Sequence, residues 1–290
     1  MKVKRRWIVL FLSPGLLLFL FVYLASIINV AGTSFTDWRI GQQIRFSGVS
    51  NYTALIQSPV FHKALGNNII WIILQSTIHV AIGILFALII AWKKRTWYAK
   101  VSQTLFMLPN MLSSAALGML FYNIFNPMYG PINRIIKSFG NPNFNINWFA
   151  NADTAFFAVT ATWLPFAAII AILAAAELSA IPDEIFEAAY IDGATELQTN
   201  MYIKIPLLKN AVGTGTILAA TSMLQKLDIL VMTSNGGPGN TTMNLPLLIY
   251  NTAMRDNNFG MANACAVLLI IIGLISIGAV NKLYRMNEPV

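Results

Sequence analysis

Glu187-Ala188-Ala189-Tyr190-Ile191-Asp192-Gly193-Ala194, closed by Ile203-Lys204-Ile205-Pro206, forms a charged island between two hydrophobic stretches. Six of the chain's eleven acidic residues (Glu177, Asp183, Glu184, Glu187, Asp192 and Glu196) fall within the twenty positions 177–196. The rest of the chain is built for lipid. Of its 290 residues 57% are hydrophobic and only 10% charged, where average usage is nearer a quarter charged. Negative charge gathered in one place on such a chain is expected to meet another protein.

Working outward, the uncharged runs are 7–36, 64–92, 101–133, 154–176, 210–225 and 257–281. A helix needs about 20 apolar residues to cross a hydrocarbon core of about 30 Å. Five runs suffice outright, and 210–225 spans only by continuing to Met232 with Lys226 and Asp228. The expectation is an all-α membrane protein with six spans near 8–31, 67–92, 101–125, 154–178, 211–232 and 260–284, forming a single membrane domain. Lys2, Lys4, Arg5 and Arg6 before the first run also fit a signal peptide. The run is about twice a typical h-region of ~7–15 residues and lacks a clean cleavage site, so a retained span is expected.

Lysine and arginine placement sets the orientation. With the N-terminus inside, twelve basic residues lie on the inner side against seven outside, and Lys93, Lys94, Arg95 and Lys100 weigh most, as the positive-inside rule requires. The net charge of +8 is therefore largely topological. Basic residues scattered over loops line no nucleic-acid patch. Cys265 is the single cysteine and His62 and His79 the two histidines, so neither a cysteine-cluster metal site nor a catalytic transition-metal site is expected.

Local rules shape the island itself. Pro182 suits a helix start, and Asp183 and Glu184 then occupy the first turn, favourable to the helix dipole. Ile185, Phe186, Ala189 and Tyr190 make an apolar stripe at helical spacing. Gly193 suits a left-handed terminus, after which a second short helix can run from about Thr195 to Tyr202. An amphipathic helix lying on headgroups is the plainer alternative, but such helices usually carry Lys and Arg. An acidic, protruding helix suits a basic cleft on a soluble partner.

Glu187-Ala188-Ala189, Asp192-Gly193-Ala194, Ile203 and Ile205-Pro206 resemble the EAA loop of ABC-importer permeases in register and spacing. Further segments agree with the maltose and glycerol-3-phosphate branch of carbohydrate uptake. They are Phe46-x-Gly48-x-x-Asn51-Tyr52, Tyr129-Gly130-Pro131-Ile132-Asn133, Leu227-Asp228 through Thr233 to Gly236-Gly237-Pro238, and Phe259-Gly260-x-Ala262-x-Ala264. The Gly-Gly-Pro loop is similar to the first, maltose-subunit-like permease of the pair. Leu227 stands where Phe is frequent, and Asn200 where an aromatic is common.

The resemblance implies a type I importer permease fold with a cytoplasmic coupling helix over 182–192, inside the loop 179–210. Glu187, Ala188, Ala189, Asp192, Gly193, Ile203 and Pro206 would couple to the ATPase, with Glu187 facing a basic residue there. It implies a second permease subunit (a heterodimer by family norm), two cytoplasmic ATPase subunits, an extracytoplasmic solute-binding protein, a carbohydrate substrate and the lipid bilayer, with no nucleic acid. The place would be a bacterial or archaeal cell membrane, crossed several times with both termini cytoplasmic. The chain carries no G-x-x-x-x-G-K-[ST] phosphate loop, so ATP and Mg belong to partner subunits, and neither catalysis nor a cofactor is expected of this one.

Polar groups inside a bilayer are costly and usually face a cavity or a partner. Ser222, Gln225 and Lys226 share one helical face, and Trp163, Pro165 and Phe166 cluster in the fourth stretch. Trp163, Phe166, Ser222, Gln225 and Lys226 are the candidate path for a sugar, which needs amides, hydroxyls and an aromatic face. Lys226 is also placed to snorkel, and Gln75 and His79 suit interhelical hydrogen bonds better than a ligand role. Uptake of glycerol-3-phosphate or another anionic solute is the alternative within transport; it predicts an excess of Arg or Lys along the path, where only Lys226 is offered. A secondary transporter would need inverted repeats and carboxylates for ion coupling, which the chain does not clearly show.

Overall fold

The computed structural model describes residues 5–92 and 96–284. Lys2, Lys4, Lys93, Lys94, Arg95 and Arg285, which weighed in the expected orientation, lie outside the described residues. The chain gathers into two compact units, one of residues up to His62 with Leu248–Ile271, the other of Lys63–Leu247 with the residues from Ile272 on.

In the first unit, Val9–Thr33 is a single helical run of 25 residues, widened at Leu20–Leu24 by a π turn. Its Phe11 and Phe21 rings are 78% and 79% exposed, a surface suited to hydrocarbon and not to water. The following loop is held by the residues of two sequence motifs. Asn51 Nδ2 donates to the Ser34 and Thr36 carbonyls at 2.8 and 2.9 Å, and the Tyr52 hydroxyl lies 2.7 Å from Ser34 Oγ. A two-stranded antiparallel ribbon pairs Thr36 with Phe46. The Phe259 ring packs tilted against Trp38, with centroids 5.2 Å apart. Gly260 follows because a Cβ there would stand 2.0 Å from the Thr36 carbonyl oxygen.

The second unit is built on close helix approach. Ile170, on the Ala168–Ala180 helix, inserts between two glycines: a Cβ at Gly83 would meet Ile170 Cβ at 2.6 Å, and one at Gly215 would meet its Cδ1 at 3.0 Å. Around it Val80, Ala167 and Ala219 form one buried cluster, with Ala87, Leu88, Ala174, Leu178, Leu208 and Ala211 forming the next. In lipid, where burial of apolar area gives little drive, small residues that admit close contact supply the cohesion.

Among the described residues three helices are long and apolar enough to cross a bilayer: Val9–Thr33, Pro59–Trp92 and Phe259–Tyr284. Trp97–Met111 and Ser114–Ile124 add a fourth crossing if taken together, although they bend by 103°. That bend falls at Leu112 and Ser113, past Pro109, with Ser113 accepting from Ala116 N as the cap of the new helix. The stretches 154–178 and 211–232, read from sequence as continuous helices, are each interrupted. The first divides into Ala155–Ala161 and Ala168–Ala180. The second runs as Lys209–Ser222, a 3-10 turn Met223–Gln225, and then Asp228–Met232. Leu245–Met254 is a further apolar helix in a region read from sequence as loop.

Gly83→Val should overpack the Ile170 contact and cost about 1–3 kcal/mol, seen as a lower unfolding temperature of the detergent-purified protein. Gly278→Ala, where an added methyl meets nothing within 4 Å, should be neutral or slightly stabilising by helix propensity.

Candidate functional sites

The acidic island folds as two short helices. Asp183–Ile191 begins after Pro182, with Asp183 and Glu184 in its first turn. It ends in a Schellman turn: Gly193 N donates to Tyr190 O at 3.0 Å and Ala194 N to Ala189 O at 2.9 Å. Gly193 sits at φ +84°, a conformation that glycine adopts without steric cost. Glu196–Thr199 follows, opened by a capping box between Thr195 and Gln198. A π turn over Asn200–Lys204 then leads to Ile205-Pro206.

The six acidic residues separate into two groups. Glu177 Oε2 accepts from the backbone N–H of Ala211 at 2.6 Å, so the end of one long helix caps the start of the next. Glu196 Oε1 accepts from Lys204 Nζ at 2.6 Å, and its other oxygen accepts from the Tyr190 hydroxyl. Lys204 is buried and also lies 5.2 Å from the Phe186 ring centroid. These contacts tie the first short helix, the second, and the chain entering Lys209–Ser222 into one body. Asp183, Glu184, Glu187 and Asp192 remain exposed. Beside them Ile191, Leu197 and Tyr202 are 85%, 72% and 78% exposed, so the free face is acidic and apolar together. Large exposed apolar side chains rimmed by charge mark an interaction surface.

The brace sets two titrations. Burial works against charge on Glu196, but the hydrogen bonds from Lys204 and Tyr190 outweigh it and hold the carboxyl below its ordinary range. Burial, with Glu196 alongside, pushes the Tyr190 hydroxyl up to about 12.

A second site arises from the interrupted helices. Where a helix breaks at membrane depth its freed carbonyls must find other donors. At the Trp163-Leu164-Pro165-Phe166 break, His79 Nδ1 bonds Leu164 O at 2.8 Å and Asn110 Nδ2 donates to Phe166 O at 3.1 Å. At the other break, Asn68 Nδ2 donates to Met223 O at 3.5 Å and Asn244 Nδ2 to Lys226 O at 2.6 Å. Between the breaks lies a cavity of about 180 Å³, whose wall includes Gln75, His79, Asn110, Trp163, Phe166, Ser222 and Lys226. Trp163 is held edge-on to Trp71 at 5.2 Å. Its Nε1, like Gln75 Oε1, is buried without a hydrogen-bond partner. Each such orphan leaves about 1–3 kcal/mol of desolvation unrecovered until water or a solute supplies a partner.

Of the residues singled out from sequence, Trp163, Phe166, Ser222 and Lys226 come together on this cavity, while Gln225 is exposed and absent from its wall. The 3-10 turn at Met223–Gln225 rotates Gln225 off the face that regular helix spacing would give it. Glu187, Ala188, Asp192 and Gly193 lie on the exposed side of the loop, as does Pro206. Ala189 is buried beneath them and Ile203 half-buried. Glu187 also borders a groove of about 410 Å³, shared with Asp183, Tyr190, Glu196 and Lys204. Sequence reasoning gave His79 an interhelical hydrogen bond, which its contact with the Leu164 carbonyl bears out, but did not find the brace or the other carbonyl donors. Of these only the Thr195/Gln198 capping box had a local signature. Among the described residues no cluster of His, Cys, Asp or Glu could hold a metal ion.

Residues 83–286 match the family described as "Binding-protein-dependent transport system inner membrane component". The chain is similar to a probable ABC transporter permease, YurN, of Bacillus subtilis (strain 168), with 29% identity over 91% of each chain. It is 31% identical to the multiple sugar-binding transport system permease protein MsmF of Streptococcus mutans serotype c, over 95% of this chain and 94% of that one. A crystal structure of a bacterial alginate ABC transporter, in complex with an alginate pentasaccharide-bound periplasmic protein, contains a chain of the same fold. The TM-score is 0.84 at 19% identity, over 99% of this chain and 98% of that one.

Because the Glu196 carboxyl titrates lower when folded, its contribution is present above the ordinary carboxylate range and is lost as pH falls through the depressed value. Tyr190 works in the opposite sense, contributing below its ordinary value of 10.0 and fading as pH rises through about 12. Hydrogen exchange of the 195–204 amides, corrected for intrinsic rates, should lose protection on acidification in the native protein and be far less pH-dependent in Glu196→Gln. Glu177→Ala should cost about 0.5–2 kcal/mol, as loss of a helix cap does, with faster exchange confined to the first turn of Lys209–Ser222.

Proposed function

The chain belongs to the family of binding-protein-dependent transport inner-membrane components, and from that premise we propose that it is a permease subunit of an ATP-driven importer of a sugar or oligosaccharide. The observation that carries this reading is the exposed acidic and apolar face of Asp183–Ile191, mounted on a loop braced internally to the long helix that follows it. A lever needs both properties: a free surface for a partner and a stiff connection to what it moves. Relatives that match nearly end to end include a sugar-system permease, which supports the solute class.

In this reading Asp183–Ile191 seats in a cleft of a cytoplasmic ATPase, and Glu187 meets a basic group there in a charge-assisted contact. Ala188, Asp192 and Gly193 shape the docking face, while Ala189, Ile203 and Pro206 fit the loop to the helices beneath it. Closure of two ATPase subunits on ATP and Mg moves the loop as one body. The motion passes through Glu177 and Lys204 into the interrupted helices, opening the path alternately to each side. The chain contributes half of that path, with Trp163, Phe166, Ser222 and Lys226 on it. A second permease subunit supplies the other half and an extracytoplasmic binding protein delivers solute. Six crossings with both termini cytoplasmic accommodate this arrangement, the interrupted 154–178 and 211–232 stretches counting as one crossing each.

Two measurements check the proposal. In membrane vesicles carrying the assembled complex, uptake should survive collapse of the ion gradients and stop without internal ATP; the opposite pattern would refute it. Glu187→Lys should leave ATP hydrolysis substantial and the subunit inserted while lowering solute uptake at least tenfold, the scale of a lost charge-assisted contact of about 1.5–3 kcal/mol. Unchanged uptake would remove Glu187 from the contact.

A further inference from the structure

The cavity between the two helix breaks carries more chemistry than a neutral sugar requires. Its wall presents an acceptor without a donor, Gln75 Oε1, and a donor without an acceptor, Trp163 Nε1, both on side chains at least nine-tenths buried. Of the remaining polar side chains on the wall, three have their roles. His79 and Asn110 are occupied with the Leu164 and Phe166 carbonyls, and the Ser222 hydroxyl donates to Ala219 O at 2.7 Å.

Lys226 is different. It stands at the break itself, where the 3-10 turn ends, with ψ at 86° and its carbonyl held by Asn244. Its ammonium takes part in no hydrogen bond or ion pair among the described residues. The neighbouring Asp228 is exposed and makes no salt bridge with it. No carboxylate lines the cavity. A cation at membrane depth that one carboxylate, Asp228, reaches only through space and not in an ion pair leaves its direct counter-ion to be supplied from outside.

Resting on the importer reading, we infer that this cavity selects a hydroxylated carboxylate, an acidic sugar, and that Lys226 is its specificity-determining residue. A sugar hydroxyl donates to Gln75 Oε1, another oxygen accepts from Trp163 Nε1, and the Trp163 and Phe166 rings offer an apolar face to the sugar C–H groups. The carboxylate pairs with Lys226. A phosphate ester fits less well: it carries about −1.5 to −2 charge and is characteristically met by an Arg fork or several cations, whereas this wall has one ammonium and no arginine. A neutral sugar would leave the half-buried Lys226 opposite an uncharged group, and a site so built rejects the analogue that lacks the matching group.

Binding of D-glucuronate, D-glucose and D-glucose 6-phosphate to the purified complex without nucleotide tests the inference. Glucuronate should bind roughly tenfold or more tightly than glucose. Lys226→Met should reduce that preference to near unity, and Lys226→Arg should keep it. Trp163→Phe, which removes the indole N–H and keeps an aromatic ring, should weaken both sugars alike and preserve the charge preference. It also supplies the reading if Lys226→Met fails to assemble, because charge preference lost in Trp163→Phe would overturn the assignment to Lys226. Equal binding of glucuronate and glucose, tighter binding of the phosphate, no binding of either sugar, or an unchanged preference in Lys226→Met would each overturn the proposal. ATP-dependent uptake is scored separately: charge-selective binding without ATP-driven uptake would count against the importer reading alone.

Discussion

A backbone carbonyl freed inside a membrane has no water to turn to, and the architecture of the second unit answers that constraint. Two long apolar stretches are interrupted, at Trp163-Leu164-Pro165-Phe166 and at Lys226-Leu227, and each interruption is met by side chains from distant helices. His79 and Asn110 serve the first, Asn68 and Asn244 the second. Asn68 and Asn244 also use their oxygens to accept from Leu245 N and Leu247 N, starting the Leu245–Met254 helix. Without these donors each break would strand a polar group in hydrocarbon, a cost of several kcal/mol. With them, the helices can be discontinuous and a polar cavity can exist between the breaks.

The same unit is stiff along the route that the proposed function assigns to force. Ile170 sits between Gly83 and Gly215 with no slack, so the helices bearing those residues shift together or not at all. At the loop, Glu177 caps the helix that begins at Lys209, and Glu196 joins Lys204 to Tyr190. In the proposed function, a push on Asp183–Ile191 is therefore not absorbed by a hinge at Gly193. It reaches the Lys209–Ser222 helix, whose far end borders the cavity through Ser222 and, across the break, Lys226.

What could be read from residues alone follows from how local each signal was. The helix over Asp183–Ile191 was legible because Pro182, Asp183, Glu184 and Gly193 act on their immediate neighbours. The apolar character of Val9–Thr33 and Phe259–Tyr284 was legible from uncharged length. The breaks were not. An uncharged run does not reveal where its backbone leaves the helix: Pro165 lies within one break, Pro109 stands three residues before the bend at Leu112 and Ser113, and no proline marks the break at Lys226-Leu227. Gln225 was placed on the path by regular spacing that the 3-10 turn cancels. The Glu196–Lys204 pair escaped notice because eight residues separate the partners and only the π turn at Asn200–Lys204 brings them face to face.

The central claim is that the acidic face of Asp183–Ile191 is where the importer's ATPase takes hold. Cys265 is the chain's one cysteine and is buried, so a Cys265→Ala background allows a single reporter thiol at exposed Ala188. The labelling rate of Ala188→Cys by a water-soluble thiol reagent, with and without the ATPase subunits bound, is the most direct measurement. The account predicts strong protection in the complete complex and rapid labelling when the ATPases are stripped away. Equal labelling in both states would contradict it.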